Sequence, residues 1–479
     1  MPIKVIEKSK IKTEPIAFKL NDPKSVDLLV QSFDYVPYVY IKKINDTINT
    51  PPIDGTNIDP RDIVYIKLHN SMFLPEIELY CYDSKGILFN DLYPFDHDTL
   101  LCIFVKANSE NEMPIRMDFR VTEYETVKSD DNRDIFTYLI KGILNVDELH
   151  YTRYESYEGT SYDVIKEIAL KLNLGFASNV DSSDDKMKWI NPSDTYKEFI
   201  KDITRYSFIT EDDFVWTFID FYYNLNYINV QLEMNEFNKE EKGTFTNKLI
   251  TKNDEERNIF LYLTNNKAFN MTNKYISKFN LVNQSLKVNL ENFYQITSSF
   301  YDKSDNTVYK KYIKKLENNE EKLAKGEGTL RQLYDKESPI FNENVNDEYF
   351  LGKIDTQNNV HKNYSLAKTS NLYNLNNMEK MKMIVTLNQI NFSIKRFQNI
   401  KIEIYNPQDI FSADANNPDK KPIDNINMRL SGYWYVTGIN YLYKRTGGPE
   451  QEITLMRRDL SIDYGKGSEN KHDLRAVIK

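Results

Sequence analysis

Histidine and cysteine are scarce in this chain, and long apolar runs are missing. There are five His and two Cys in 479 residues. No His stands at an HExxH or other zinc-ligand spacing, so no metal site is expected from a local motif. Cys81 and Cys102 both lie inside apolar runs and read as buried free thiols, not as part of a disulfide framework. No stretch approaches the roughly 18 apolar residues of a membrane helix, so membrane insertion is not expected. The opening MPIKVIEKSKIK (1–12) has no apolar core, so synthesis in a cytoplasm without a cleaved export signal is expected. No repeat recurs at a fixed short period, which argues against a solenoid.

Aromatic residues are plentiful: 34 Tyr and 26 Phe. Such residues favour strands and large interfaces, where one end of the ring stays wet. The 40% hydrophobic and 28% charged content is that of a folded chain, and the length predicts more than one domain. A formal net charge of −9 argues against a generic nucleic-acid-binding or membrane-binding surface.

The first third is dense in strand signals. DIVYIKL (62–68), PEIELYCYD (75–83), TLLCIFVKA (99–107) and IRMDFRVTEY (115–124) are short, β-branched or aromatic, and separated by turn formers. They predict an antiparallel sheet or small barrel, which RDIFTYLIKGIL (133–144) would close. The period then changes to helical. In GTSYDVIKEIALKLNLGF (159–176), Thr160 is a natural N-cap with Asp163 three residues on, and Gly175 is placed as the left-handed stop. NPSDTYKEFIKDITRYSF (191–208) predicts a second helix, with Asn191 as cap, Pro192 in the first turn, and Phe199, Ile200, Ile203 and Tyr206 on the buried stripe. FVWTFIDFYYNLNYINVQ (214–231) reads as a strand pair, completing a small α/β module.

Residues from 258 to about 389 are mixed, and TVYKKYIKKLENNEEKLAKGEG (307–328) has the charge density of an exposed helix or loose loop. Strands return in KMKMIVTLN (380–388), NIKIEIYN (399–406) and the hairpin SGYWYVTGINYLYKRTGGPEQEITLMRRDL (431–460). Within that hairpin, Gly438 marks a bulge or bend and GGPE (447–450) marks the turn. The fold class expected is α+β. It comprises two antiparallel barrel-like domains (1–145 and 376–479, the latter with a charged tail), an α/β module (146–262) and a mixed insertion (263–375).

The sites for chemistry are weak. Asp96, His97 and Asp98 adjoin a strand in FDHDTL (95–100) and two carboxylates there could share a metal, but a polar loop before Thr99 is the favoured reading. DSSDDK (181–186) and DANNPD (414–419) lack the Gly and terminal Glu of a calcium loop and read as solvated turns. YGKGSENK (464–471) lacks the first Gly and the Lys-Ser ending of a phosphate loop and reads as a charged tail. Trp189, Trp216 and Trp434 sit in apolar settings where packing is favoured over stacking on a sugar or base. No catalytic residue, cofactor site or metal site is expected.

The order of blocks is more informative. A β block, then FTYLIKGILNVDELHYTRYESYEGTSYDVIKEIALKLNLGF (136–176), then DTYKEFIKDITRYSF (194–208), resembles the central baseplate hub proteins of contractile-tailed phages. The same run resembles the amino-terminal part of type VI secretion spikes. HKNYSLAKTSNLYNLNNMEKMKMIVTLNQIN (361–391) and the final hairpin extend the likeness. The positions that carry it are Gly159, Thr160, Ser161, Gly175, Phe176, Gly432, Tyr435 and Gly438. The segment 308–335 departs from the compact pattern and looks like an insertion.

The resemblance implies a homotrimer whose two barrel-like domains per chain give six quasi-equivalent units. Such a ring adapts a three-fold spike protein to a six-fold tail tube or tube-initiator protein, with wedge proteins around it and DNA passing through without specific binding. Two other readings stay open: a cell-wall hydrolase or carbohydrate-binding tail module, and the base of a bacterial contractile injection spike. The spike reading predicts an OB-fold and β-helix, for which the residues ending GKGSENKHDLRAVIK (465–479) leave no room on this chain.

Overall fold

The computed structural model describes residues 4–7, 37–43, 57–92, 95, 98–105, 115–128, 135–146, 148–210, 213–235, 244–246, 276–283, 295–303, 306–313, 346–354, 360–378, 381–388, 390, 394–404, 427 and 430–457. It is mostly antiparallel β-sheet with few helices. The largest sheet has twelve strands. Its hydrogen-bonded path runs Ile276–Asn283, Met381–Leu387, Gly448–Arg457, Gly432–Lys444, Ile63–Asn70, Glu76–Asp83, Phe136–Leu144, Ile115–Lys128, Thr99–Val105, Tyr38–Lys43. Asn399–Glu403 also pairs with Gly432–Lys444, and Thr244–Thr246 pairs with Asn399–Glu403.

Strands from the two ends of the chain therefore share one sheet. The join is antiparallel, with Ile439 opposite Asn70, Tyr441 opposite Leu68 and Lys444 opposite Tyr65. Alternation of buried and solvent-facing residues explains these strands: Ile66, Leu68, Ile77 and Leu79 turn inward, and Lys67 and Glu78 lie opposite each other on the other face. Phe136–Leu144 sits between Glu76–Asp83 and Ile115–Lys128, not at a closing edge. Among the described residues the path is open at both ends, so the barrel closure predicted above is not part of it.

Gly432–Lys444 changes neighbours along its length. Its first half pairs with Asn399–Glu403 and its second with Ile63–Asn70, and the register against the next strand shifts between Val436 and Gly438. The bulge predicted at Gly438 is there. A Cβ on Gly438 would lie 3.0 Å from Ser71 Cβ, a tight contact that favours glycine at the bulge.

The α/β module has a four-stranded sheet in the order Lys4–Glu7, Gly175–Ser178, Asn224–Asn229, Val215–Ile219. Beside it lie a ribbon of Thr152–Gly159 with Met187–Thr195 and the helices α1 (Ser161–Lys171) and α2 (Tyr196–Tyr206). Two further helices follow, α3 (Val230–Asn235) and α4 (Tyr364–Met378). One buried apolar cluster runs from the early strands through the module to the final hairpin, and a smaller one gathers Phe214, Phe218, Ile228, Val230, Met378, Phe397 and Tyr435.

Several local expectations are corrected. The left-handed stop after α1 is Asn173 (φ 54°), not Gly175. Leu174 N donates to Ala169 O and Asn173 N to Leu170 O, a Schellman closure, and Gly175 already belongs to a strand. The cap of α2 is Thr195, which accepts from Glu198 N, not Asn191. Asn191 and Pro192 lie within the strand Met187–Thr195 instead, just before its register shift, where Asn191 Oδ1 accepts from Ser193 N and Asp194 N. Thr307–Ile313 is neither helix nor loop but a strand of a three-stranded sheet with Gln295–Asp302 and Asn346–Ile354. Residues 314–335 of the segment marked as an insertion lie outside the described residues.

Candidate functional site: buried braces between blocks

Two sets of buried polar groups among the described residues tie separate elements together. Arg396 is the clearest. It is 3% exposed and lies on the short connection before Asn399–Glu403. Nε donates to Thr437 O at 2.8 Å, Nη1 to Met72 O at 2.8 Å and to Asn70 Oδ1 at 3.4 Å, and Nη2 to Ser71 O at 3.1 Å. The guanidinium also lies 4.1 Å from the Phe218 ring centroid and 5.4 Å from that of Phe397. One side chain thus holds the first β block, the bulge in the final hairpin and a strand of the module. Burial pulls its pKa down to about 9, against the opposing pull of the Asp220 carboxylate, so it stays charged at neutral pH. A planar, five-donor cation suits this place because three of its acceptors are carbonyls at fixed positions.

A second brace holds the two module helices. The three orphan amides of the first turn of α1 are all satisfied: Ser161 N by Asp185 Oδ1 at 2.8 Å, Tyr162 N by Ser183 Oγ at 3.2 Å, Asp163 N by Thr160 Oγ1 at 3.2 Å. The predicted capping of Thr160 by Asp163 is present in full. Asp185 is completely buried, which corrects the reading of 181–186 as a solvated turn. It also accepts from Ser161 Oγ at 2.5 Å, Ser183 Oγ at 2.7 Å and Phe208 N at 2.8 Å. A carboxylate here satisfies donors from the start of α1 and the end of α2 at once, and its charge complements the α1 dipole. Ser161 Oγ lies 2.8 Å from Tyr227 Oη and is sealed from solvent, so its chemistry is that of a strut.

The chain of contacts continues to α4. Asn371 Nδ2 reaches Thr204 O, Arg205 O and Ser207 O at 3.2, 3.0 and 2.9 Å, covering carbonyls at the carboxy end of α2. Tyr364 stacks on Tyr206 with centroids 4.3 Å apart, and His361 Nε2 lies 3.0 Å from Tyr206 O.

The residues that carry the family likeness divide between these places. Thr160 and Ser161 belong to the module brace, and the Gly159 carbonyl accepts from Trp189 Nε1 at 3.1 Å. Gly175 and the fully buried Phe176 lie in the module's sheet. Gly432 (φ 114°) starts the first arm of the final hairpin in a conformation that favours glycine; Tyr435 belongs to the smaller core cluster and Gly438 to the bulge. The three Trp pack: Trp189 and Trp434 are buried, with Trp434 Nε1 donating to Leu430 O, and Trp216 packs against Phe397. Cys81 and Cys102 are buried and not joined in a disulfide, and burial pushes the Cys81 thiol well above its ordinary pKa. Asp96 and His97 lie outside the described residues, as do 414–419 and 464–471. Among the described residues no cluster of His, Cys, Asp and Glu is arranged to hold a metal, and no helix is long and apolar enough to cross a membrane. Arg396 and Asp185 escaped sequence reasoning, because neither stands in a motif.

No protein-family model matches this chain, and no curated protein matches it in sequence. Solved tail proteins and type VI secretion proteins are among the structures it is similar to. A tail protein from Neisseria meningitidis MC58 is 8% identical over 88% of this chain and 97% of its own, with a TM-score of 0.48. The 43 kDa tail protein of prophage MuSo2 from Shewanella oneidensis is 10% identical over 88% of this chain and 98% of its own, also at 0.48. An E. coli component of the type VI secretion system is 8% identical over 83% of this chain and 73% of its own, at 0.38.

Proposed function

We propose that this chain is the structural hub of a phage baseplate. Three copies form a ring that adapts a three-fold spike below to a six-fold tail tube or tube-initiator above, with wedge proteins outside. The ring encloses part of the path by which DNA leaves, and DNA passes without specific binding. Residues 1–145 and 376–479 form the two tube-like units, 146–262 brace them from outside, and 263–375 are an insertion. The role is structural and calls for no catalytic residue or cofactor. Gly159, Thr160, Ser161, Gly175, Phe176, Gly432, Tyr435 and Gly438 act as framework positions.

The observation that carries this reading is the antiparallel join of Ile63–Asn70 to Gly432–Lys444, locked by Arg396. A wall built from two units per chain needs those units held at a fixed angle. A continuous sheet with a buried cation at its bend supplies that rigidity. The resemblance of 136–176 and 194–208 to hub proteins points the same way. The net charge of −9 per chain accords with a channel that does not retain phosphates.

The test is the solution mass of the full chain by light scattering across concentration, alone and with a cognate trimeric spike protein. A species at three times 56.6 kDa, with a central pore on imaging, is expected. A monomer under both conditions, with clearing of peptidoglycan that depends on one acidic residue, would replace the hub by the hydrolase.

A further inference from the structure

His361 stands at the entry to α4 and is 5% exposed. Its tautomer is set by its partners. Asn363 N–H donates to Nδ1 at 3.2 Å, so Nε2 carries the proton and donates to Tyr206 O at 3.0 Å. The ring lies 6.4 Å from Trp189 and edge-on to Tyr364 at 5.8 Å. Both nitrogens are therefore used by the neutral form. A second proton would sit on Nδ1 and point at the Asn363 N–H, a donor facing a donor in a buried place.

We propose that His361 is a pH-sensitive latch that holds α4 against the carboxy end of α2 when neutral and loosens it when protonated. The contacts at stake are the Tyr206–His361 hydrogen bond, the Tyr206–Tyr364 stack and the reach of Asn371 to three carbonyls. α4 also lies beside Gln295–Asp302 and Thr307–Ile313, two strands of the three-stranded sheet.

The groups around the ring are Asp184 and Asp185 from the segment before Met187, Lys362 beside it, and the Tyr206–Tyr364 pair with Asp202 and Lys368 nearby. Asp184 is taken up by Lys362 at 2.9 Å, and the carboxylate of Asp185 already accepts four hydrogen bonds. Burial lowers the His361 pKa, against the pull of Asp185, the Tyr206 carbonyl and Asp184. The sign follows. The unfolded imidazole takes up a proton near pH 6.5 and the folded one only below that. The stabilisation is therefore present above about pH 6.5 and is lost as pH falls toward the folded value.

The test is hydrogen exchange of the full-length protein at about pH 7.5 and about pH 5.5, corrected for intrinsic rates, with peptides of α1 as the internal reference. Between these two pH values exchange across 361–378 should rise up to about tenfold relative to α1, because pH 5.5 lies about one unit below the unfolded imidazole's pKa. His361→Gln offers an oxygen to Asn363 and an N–H to Tyr206 and cannot titrate, so its ratio should stay flat. A flat wild-type ratio, or the same rise in His361→Gln, overturns the latch. If that variant does not fold, the carbon-bound proton signals of the five histidines in the wild type decide. A His361 signal titrating at or above about pH 6.5 overturns it.

Discussion

Arg396 Nε donates to the Thr437 carbonyl at 2.8 Å, inside the bulge where the final hairpin turns from one neighbour strand to another. A bulge removes one residue from the regular ladder and leaves its carbonyl in need of a donor. Arg396 supplies it and directs its other donors to Met72 O, Ser71 O and Asn70 Oδ1, at and beside the turn between Ile63–Asn70 and Glu76–Asp83. The irregular points of two distant strand pairs are thus satisfied by one cation. That is why a buried charge is tolerated with no carboxylate in contact among its described hydrogen bonds.

Arg396→Met keeps the apolar contact with Phe218 and orphans the carbonyls of Ser71, Met72 and Thr437. Loss of about 3 kcal/mol or more is expected, at about 1–3 kcal/mol for each buried carbonyl left without a donor. Arg396→Lys should recover only part, since one ammonium cannot reach three fixed acceptors in the geometry of a fork. Denaturant midpoints of the two variants check the order, with Met lowest.

Gly438→Ala places a methyl group 3.0 Å from Ser71 Cβ. Overpacking at such a site costs about 1–3 kcal/mol. Ser71→Gly should remove most of that cost, because it removes the atom in the way. The double-mutant cycle reads the coupling directly, and additive effects of the two changes would place the strain elsewhere.

Asp185→Ala should be far worse than loss of the helix cap. It orphans Ser161 N and Phe208 N in a sealed site, at about 1–3 kcal/mol each. Thr160→Ala removes one side-chain acceptor at a half-buried position, for about 1 kcal/mol. Asp185→Asn should resemble Asp185→Ala, since its amide nitrogen brings donors to a place already crowded with them. Thermal unfolding of the three variants checks the ranking.

Much of the fold was legible because it rests on local periodicity. The alternation in 62–68 and 75–83, the helical spacing after Thr160 and the glycine at the bulge are all written within a few residues. The braces were not legible. Asp185 sits in a polar run that looks solvated, and only the folded chain brings Ser161, from 24 residues away, and Phe208 onto it. Arg396 meets Met72 across 324 residues. The misplaced helix stop has a subtler cause: both Asn173 and Gly175 can close a helix, and hydrogen-bond register, not residue preference, chose Asn173.

That choice gives a last prediction. Asn173 is held at φ 54°, where side chains other than glycine are strained and asparagine is among the least disfavoured. Asn173→Gly should leave the Schellman hydrogen bonds intact and raise stability by up to about 1 kcal/mol, after offsetting the extra freedom glycine gives the unfolded chain. Asn173→Val should lower it by about 1–2 kcal/mol, since a β-branched side chain fits this region worst. The reverse exchange at Gly175, to Ala, tests the alternative. That residue is a strand position whose backbone N–H donates to Tyr223 O at 2.9 Å, so the substitution removes no left-handed conformer. A loss at Gly175→Ala as large as that at Asn173→Val would return the stop to glycine; a much smaller one leaves it with asparagine.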